Sequence, residues 1–269
     1  MEVVRTHGVE VAFERVSAGP PLVLAHGAAE DGRIWRPQVD RLADEFTVVA
    51  WDEPGTGQSS DVPSTFALAD YADCLAAVIE SVAPGPAHVG GLSWGGTVVL
   101  ELYRRRPDLV ATLVLVGTFA GWKGSLSDDD LLARVEGARE MLAAPSTFDP
   151  RLPGLFAGDT PAEFGPMLEE MADEYRPAAF AQESLVMADT DQRDVLPNIN
   201  VPTLLVWGEL DVRSPLRVAR QFEQAIPDTT LHVIPGSGHV CNLERPEEFN
   251  DVVREFCRAH PPASRLDDR

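Results

Sequence analysis

Residues 90–97 read Gly-Gly-Leu-Ser-Trp-Gly-Gly-Thr, four glycines around one serine and one tryptophan. A phosphate-cradling loop needs G-x-x-x-x-G-K-S/T, and no lysine follows these glycines. A linker would not sit between an apolar run at 87–93 and a helical pattern at 94–107 that closes on three arginines and a proline. The stretch from Gly91 to Gly95 is therefore G-x-S-x-G on a strand-to-helix turn. Such a turn forces the serine into strained backbone angles, and only small neighbours let the flanking backbone close around it. The strain aims the Ser93 hydroxyl outward.

The same alternation extends in both directions. Compact apolar runs at 20–27, 46–52, 111–117, 201–211 and 229–236 predict strands, and amphipathic stretches at 34–44, 68–82, 216–226 and 246–260 predict helices. Strands separated by helices imply the α/β class, with a mostly parallel twisted sheet covered by helices on both faces. The pattern breaks at residues 121–190. This segment has helical periodicity, no convincing strand, and 14 acidic against 5 basic residues. It is expected to be a helical cap inserted into a core formed by 1–120 and 191–269, and the tail after His260 is expected to be disordered.

Composition narrows the partners. The 269 residues are 44% hydrophobic and carry a net charge of −21, which repels nucleic-acid phosphates and anionic lipid surfaces. No apolar run is long enough to span a membrane and no secretory signal opens the chain. Three cysteines without C-x-x-C spacing suit neither a disulfide framework nor a zinc knuckle. These features predict a cytoplasmic protein that acts on a small molecule, with neither metal nor organic cofactor.

In open parallel sheets, ligands bind beyond the carboxyl ends of the strands, where loops converge and helix amino termini point inward. The residues there are His26-Gly27-Ala28, Asp52, Ser93, Asp211 and His239. A serine hydroxyl needs a base within hydrogen-bond reach. His239, in the turn Gly-Ser-Gly-His-Val after a late strand, is the candidate; His26 also ends a strand but comes early and is expected to shape its loop. The base needs a carboxylate to fix its tautomer. Asp211 ends the preceding strand and is preferred to Glu209, two residues earlier. Developing negative charge needs two backbone N–H donors, which Ala28 and Trp94 are placed to supply. Their side chains are candidates to line the acyl pocket, and Asp52 is expected to shape the floor.

The motifs LAHGAAEDGRIW, WDEPGTGQSS, GGLSWGG, WGELDVRSP and IPGSGHVCNLERPEEF resemble the α/β-hydrolase superfamily in kind, order and spacing, across residues from about 20 to 260. The resemblance implies Ser93 as nucleophile, Asp211 as acid, His239 as base and Ala28 with Trp94 as oxyanion donors. Related haloalkane dehalogenases and epoxide hydrolases place aspartate at the nucleophile position, which Ser93 argues against. The chain is similar to small bacterial esterases, enol-lactonases and haloperoxidase-like esterases, which share the D-x-x-G-x-G-x-S turn. The implied activity is that of a carboxylesterase or lactonase acting through an acyl enzyme on a small, largely apolar substrate. Two alternatives stand beside it. One is a proline iminopeptidase-like aminopeptidase, for which Glu170, Asp173 and Glu174 would bind an amine, although HGAAEDG departs from the HGGPG of those enzymes. The other is a slow-turnover ligand receptor with a retained triad. Apolar residues of the cap, including Trp122, Leu131, Leu132, Met141, Leu142, Leu155, Phe156, Phe164, Met167, Leu168 and Met171, are expected mainly to pack it.

Overall fold

The computed structural model describes residues 1–143 and 153–263. Eight strands among them form one sheet: β1 (Glu2–Thr6), β2 (Val9–Val16), β3 (Pro21–Ala25), β4 (Thr47–Trp51), β5 (Ala87–Leu92), β6 (Val110–Val116), β7 (Thr203–Gly208) and β8 (Thr229–Ile234). Their spatial order is β1-β2-β4-β3-β5-β6-β7-β8. From β4 to β8 every pairing is parallel, while β1 and β2 join antiparallel at one edge.

Strand side chains alternate between faces, and both faces are buried. Leu22 and Leu24 of β3 pack on one side with Val39 and Leu42 of α1 (Arg36–Leu42) and Phe249 and Val253 of α10 (Pro246–Ala259). Val23 and Ala25 face the opposite side, with Leu75 and Ile79 of α2 (Leu68–Val82), Val98 of α3 (Trp94–Arg105) and Phe222 of α8 (Leu216–Ala225). This two-sided burial is why the central strands read as continuous apolar runs. The expected α/β class and helix-covered sheet are observed.

The edge hairpin is the part of the sheet that apolar runs do not announce. Its strands interleave charged and apolar residues, and they turn at His7 and Gly8, both at positive φ (49° and 79°). That pair of left-handed residues is what a two-residue hairpin turn between antiparallel strands requires.

Between β6 and β7 lie α4 (Trp122–Ser125), α5 (Asp128–Ala143), α6 (Gly165–Asp173) and α7 (Pro177–Asp189), all at the carboxyl ends of the strands. The short α9 (Cys241–Glu244) precedes α10. Leu131 is partly buried against the larger core cluster, whereas Leu132, expected to pack the cap, is 55% exposed. Phe164, Met167 and Leu168 pack against the cluster on the α1 and α10 side. The side chains of Met141 and Leu142, and the chain after Ala263, lie outside the described residues. Among the described residues no helix is long and apolar enough to cross a membrane.

Candidate active site

Ser93 sits between β5 and α3 with φ 52° and ψ −114°, a left-handed conformation for a non-glycine residue. Such a conformation costs on the order of 1–3 kcal/mol and persists only where the surroundings fix it. Here the Ser93 N–H donates to the Val116 carbonyl at 2.8 Å, and the Ser93 carbonyl accepts from Thr118 Oγ1 at 2.6 Å. The glycines are required by packing. A Cβ on Gly91 would lie 2.6 Å from the backbone of Gly95, one on Gly95 would strike the carbonyls of Ala25 and His26, and one on Gly96 would strike the Thr118 side chain.

His239 and Asp211 come together at the ends of β8 and β7. His239 Nδ1 lies 2.8 Å from Asp211 Oδ2, and both side chains are almost fully buried. The other carboxylate oxygen of Asp211 accepts the backbone N–H groups of Arg213 and Ser214, each at 2.8 Å. With Oδ1 saturated by two donors, Oδ2 is turned to the imidazole. Glu209 is directed elsewhere, accepting the Gly236 N–H at 2.9 Å. Ser93 and His239 line one cavity of about 340 Å³ together with Ala28.

Trp94 opens α3, where backbone N–H groups have no carbonyl within the helix to bind. Its side chain does not line the cavity, contrary to expectation. The ring is fully buried, stacks edge-on against Tyr71 at 5.4 Å between centroids, and donates through Nε1 to Glu53 Oε2 at 2.6 Å. The indole is large enough to reach behind the turn into the α2 packing, and a buried carboxyl holds it there. His26 shapes its loop, as expected. Its Nε2 accepts the Glu53 N–H at 3.1 Å, so Nδ1 carries the proton and donates to the Gly27 carbonyl at 2.8 Å. Asp52 ties the same loop to the turn after β4, accepting from Gly32 N–H at 2.9 Å and Gln58 N–H at 2.8 Å.

The helices between β6 and β7 supply part of the cavity lining. Arg134 and Ala138 come from α5, Phe180, Ser184 and Met187 from α7, and Trp122 from α4. Leu155 also lines this cavity, and Phe156, Leu168 and Met171 line a neighbouring one of about 330 Å³ that shares Glu30 and Leu155 with it. Five cap residues expected mainly as packing thus reach cavity walls. Glu170 and Glu174 are largely exposed and pair with Arg33.

Three acids near Ser93 are not marked out by the sequence: the partly buried Glu30 and the fully buried Glu53 and Glu183. Glu30 accepts the Gly27 N–H at 2.8 Å, and burial pushes its carboxyl up to about 8. Glu53 and Glu183 are both fully buried, and each has one oxygen, Oε1, without a donor. Burial raises both, Glu183 to about 7, and the two carboxyls act on one another. Glu183 also accepts the Ala29 N–H at 3.4 Å. The clasp joins α7, the turn after β4 and the loop after β3. Its sign is clear: between the ordinary value of 4.5 and about 7, the native state keeps a proton on Glu183 that the unfolded chain has lost, so stability falls as pH rises through that window. At about 1.4 kcal/mol per unit, the effect is on the order of 3 kcal/mol. Thermal melts of the native protein should therefore drop between pH 5 and pH 7.5, with a shallower slope for Glu183→Gln; equal slopes for the two proteins would exclude the clasp as the cause.

The comparisons agree with this architecture. The putative carbamate hydrolase RutD of Azorhizobium caulinodans is 28% identical, over 93% of this chain and 97% of the relative. A thermophilic esterase from Thermogutta terrifontis superposes with a TM-score of 0.84 at 29% identity, covering 97% of this chain and all of that one. The structure titled Est816 as an N-acyl homoserine lactone degrading enzyme gives 0.79 at 26% identity, covering 95% of this chain and 100% of that one. The alpha/beta hydrolase family itself matches residues 22–252, which include the serine turn, the Asp211–His239 pair and every strand from β4 to β8. With its sheet order, its strained serine and nearly its whole length accounted for by one family, the chain belongs to the alpha/beta hydrolases.

Proposed function

We propose that the protein is a serine hydrolase that cleaves a small carboxylic ester or lactone through an acyl-enzyme intermediate. Ser93 is the nucleophile, His239 the general base and then general acid, and Asp211 the carboxylate that fixes the imidazole tautomer. Nδ1 of His239 donates to Asp211, which leaves Nε2 unprotonated and able to take the serine proton. The tetrahedral oxyanion forms beneath the backbone N–H groups of Trp94 and Ala28. Expulsion of the alcohol, protonated by His239, leaves the acyl group on Ser93 Oγ. Water, activated by the same histidine, then releases the acid.

The observation that carries this reading is the convergence of the strained serine, the paired histidine and the 27–29 loop on one cavity. The esterase and lactone-degrading neighbours support the substrate class. The aminopeptidase alternative loses its acidic cluster, because Glu170 and Glu174 pair with Arg33 at the surface. Incubation with a fluorophosphonate should place a single phosphonyl adduct on Ser93, read by peptide mass spectrometry, and turnover of short esters or lactones should exceed that of proline anilides. An unlabelled Ser93 in folded protein would remove the mechanism. Tight binding with turnover slower than minutes would instead favour the receptor reading.

A further inference from the structure

Arginines in this acidic chain are mostly matched to carboxylates: Arg33 with Asp31 and Glu174, Arg106 with Glu80 and Asp108, Arg254 with Asp44 and Glu45. Arg134 and Arg213 are different. Among the described residues neither lies within ion-pair distance of an aspartate or glutamate, and both line the cavity that holds Ser93 and His239. The guanidinium of Arg134 stands 5.0 Å from the Phe119 ring centroid and 5.2 Å from that of Trp122, and one of its N–H groups donates to the Arg213 carbonyl. Arg213 donates to the Pro153 carbonyl at 3.1 Å. Aromatic faces and carbonyl oxygens orient a cation without neutralising it.

Withdrawing guanidinium groups from water without a counter-charge is costly, and an arriving anion offsets that cost. The planar fork of arginine matches a carboxylate through two parallel hydrogen bonds. We propose that Arg134 and Arg213 form an anion subsite of the catalytic cavity, and that the preferred substrate is an ester or lactone bearing a carboxylate remote from the scissile carbonyl. The proposal deepens the hydrolase reading and rests on it.

The acids facing the subsite do not cancel it at neutral pH. Asp211 acts on both guanidiniums but is one carboxylate against two cations and is already held by His239 and two backbone N–H groups, and Asp130 pairs with Arg217. Glu53 and Glu183 do not line this cavity. Glu30, on the cavity wall beside Asp31, is held near 8 by burial against the opposing pull of Arg213, so it is neutral at pH 7. Burial lowers Arg134 only to about 10, which keeps it charged. Above pH 8 Glu30 ionises, and the preference for an anion should weaken.

The test uses two pairs of near-isosteric esters, followed by proton release. Monoethyl glutarate is compared with ethyl pentanoate, which places the charge on the acyl side. The 4-acetoxybutanoate anion is compared with butyl acetate, which places it on the alcohol side. In one pair or both, the charged ester should show kcat/KM at least about tenfold above its neutral partner. Arg134→Gln should lower kcat/KM for the favoured charged ester about 30-fold more than for its neutral partner, chiefly through KM, and Arg134→Lys should fall between. Arg213→Gln, whose backbone donor to Asp211 is retained, gives a second route if the Arg134 variants do not fold. Neutral esters preferred in both pairs, or equal losses on charged and neutral members, would overturn the subsite. If no ester is turned over by a Ser93-dependent route, the hydrolase reading fails separately. Calorimetric titration of glutarate into Ser93→Ala protein then decides the subsite: binding lost on adding Arg134→Gln supports it, and no binding, or binding unchanged by that substitution, overturns it.

Discussion

Ser93→Ala should abolish hydrolysis of 4-nitrophenyl butyrate, with a fall in kcat on the order of 10⁶ if serine, histidine and acid act as a unit. The substitution removes one oxygen at a position whose backbone is held from both sides, by the Val116 carbonyl and the Thr118 hydroxyl. Neither contact involves the lost Oγ, so the turn, the cavity and the His239–Asp211 pair should survive. Binding of a slow ester should change little, and the melting temperature should stay within a few degrees. The measurement is steady-state kcat alongside a thermal melt, on protein purified free of host esterase. Retention of more than about a thousandth of native activity by well-folded Ser93→Ala protein would remove Ser93 from the chemistry.

Asp211→Asn should cost about 10⁴ in kcat while leaving KM and the fold nearly intact. The two backbone N–H groups of Arg213 and Ser214 demand an acceptor, so the asparagine carbonyl takes the place of Oδ1. The amide NH₂ then faces His239 Nδ1 at the position that Oδ2 held, 2.8 Å away. A donor meeting Nδ1 forces the imidazole proton onto Nε2, and a protonated Nε2 cannot take the serine proton. The same change at Glu209 provides the contrast, because that carboxylate serves only the Gly236 N–H among the described residues. A loss of less than tenfold for Asp211→Asn would show that Asp211 does not set the tautomer.

The serine turn was legible because its chemistry and its sterics use the same residues: a glycine two positions before Ser93 and another two after it leave a signature in one dimension. The order of Asp211 and His239 was legible because each follows a strand: β7 is buried throughout and reads as an apolar run, while the edge strand β8, Thr-Thr-Leu-His-Val-Ile, is half-exposed and leaves a weaker signal. The β1–β2 hairpin was not, because a half-exposed edge strand mixes Glu, Arg and Val, and its turn is marked only by His7-Gly8. The acids of the clasp were invisible for a different reason. Glu53 and Glu183 are 130 positions apart in the chain, and a carboxyl that will be buried looks like any solvated one until α7 is seated. Trp94 misled in the same way. Its neighbour in sequence is Ser93, but its indole partner is Glu53 on another strand end. Arg134 and Arg213 also looked ordinary among 22 basic residues, and only their shared cavity sets them apart.

The Glu53–Glu183 clasp bears on how this architecture can change. Helices inserted between two strands are often imagined as an interchangeable hat, replaced to suit a new substrate while the machinery below stays constant. Here α7 sends Glu183 down to the Ala29 N–H and to the carboxyl that holds the Trp94 indole. A transplanted cap lacking an acid at that point would leave Glu53 with only the Trp94 indole and would free the Ala29 N–H in the loop beside Ser93. Diversification of this scaffold is therefore easier by altering residues along α5, which can be exchanged one at a time, than by exchanging the insertion whole.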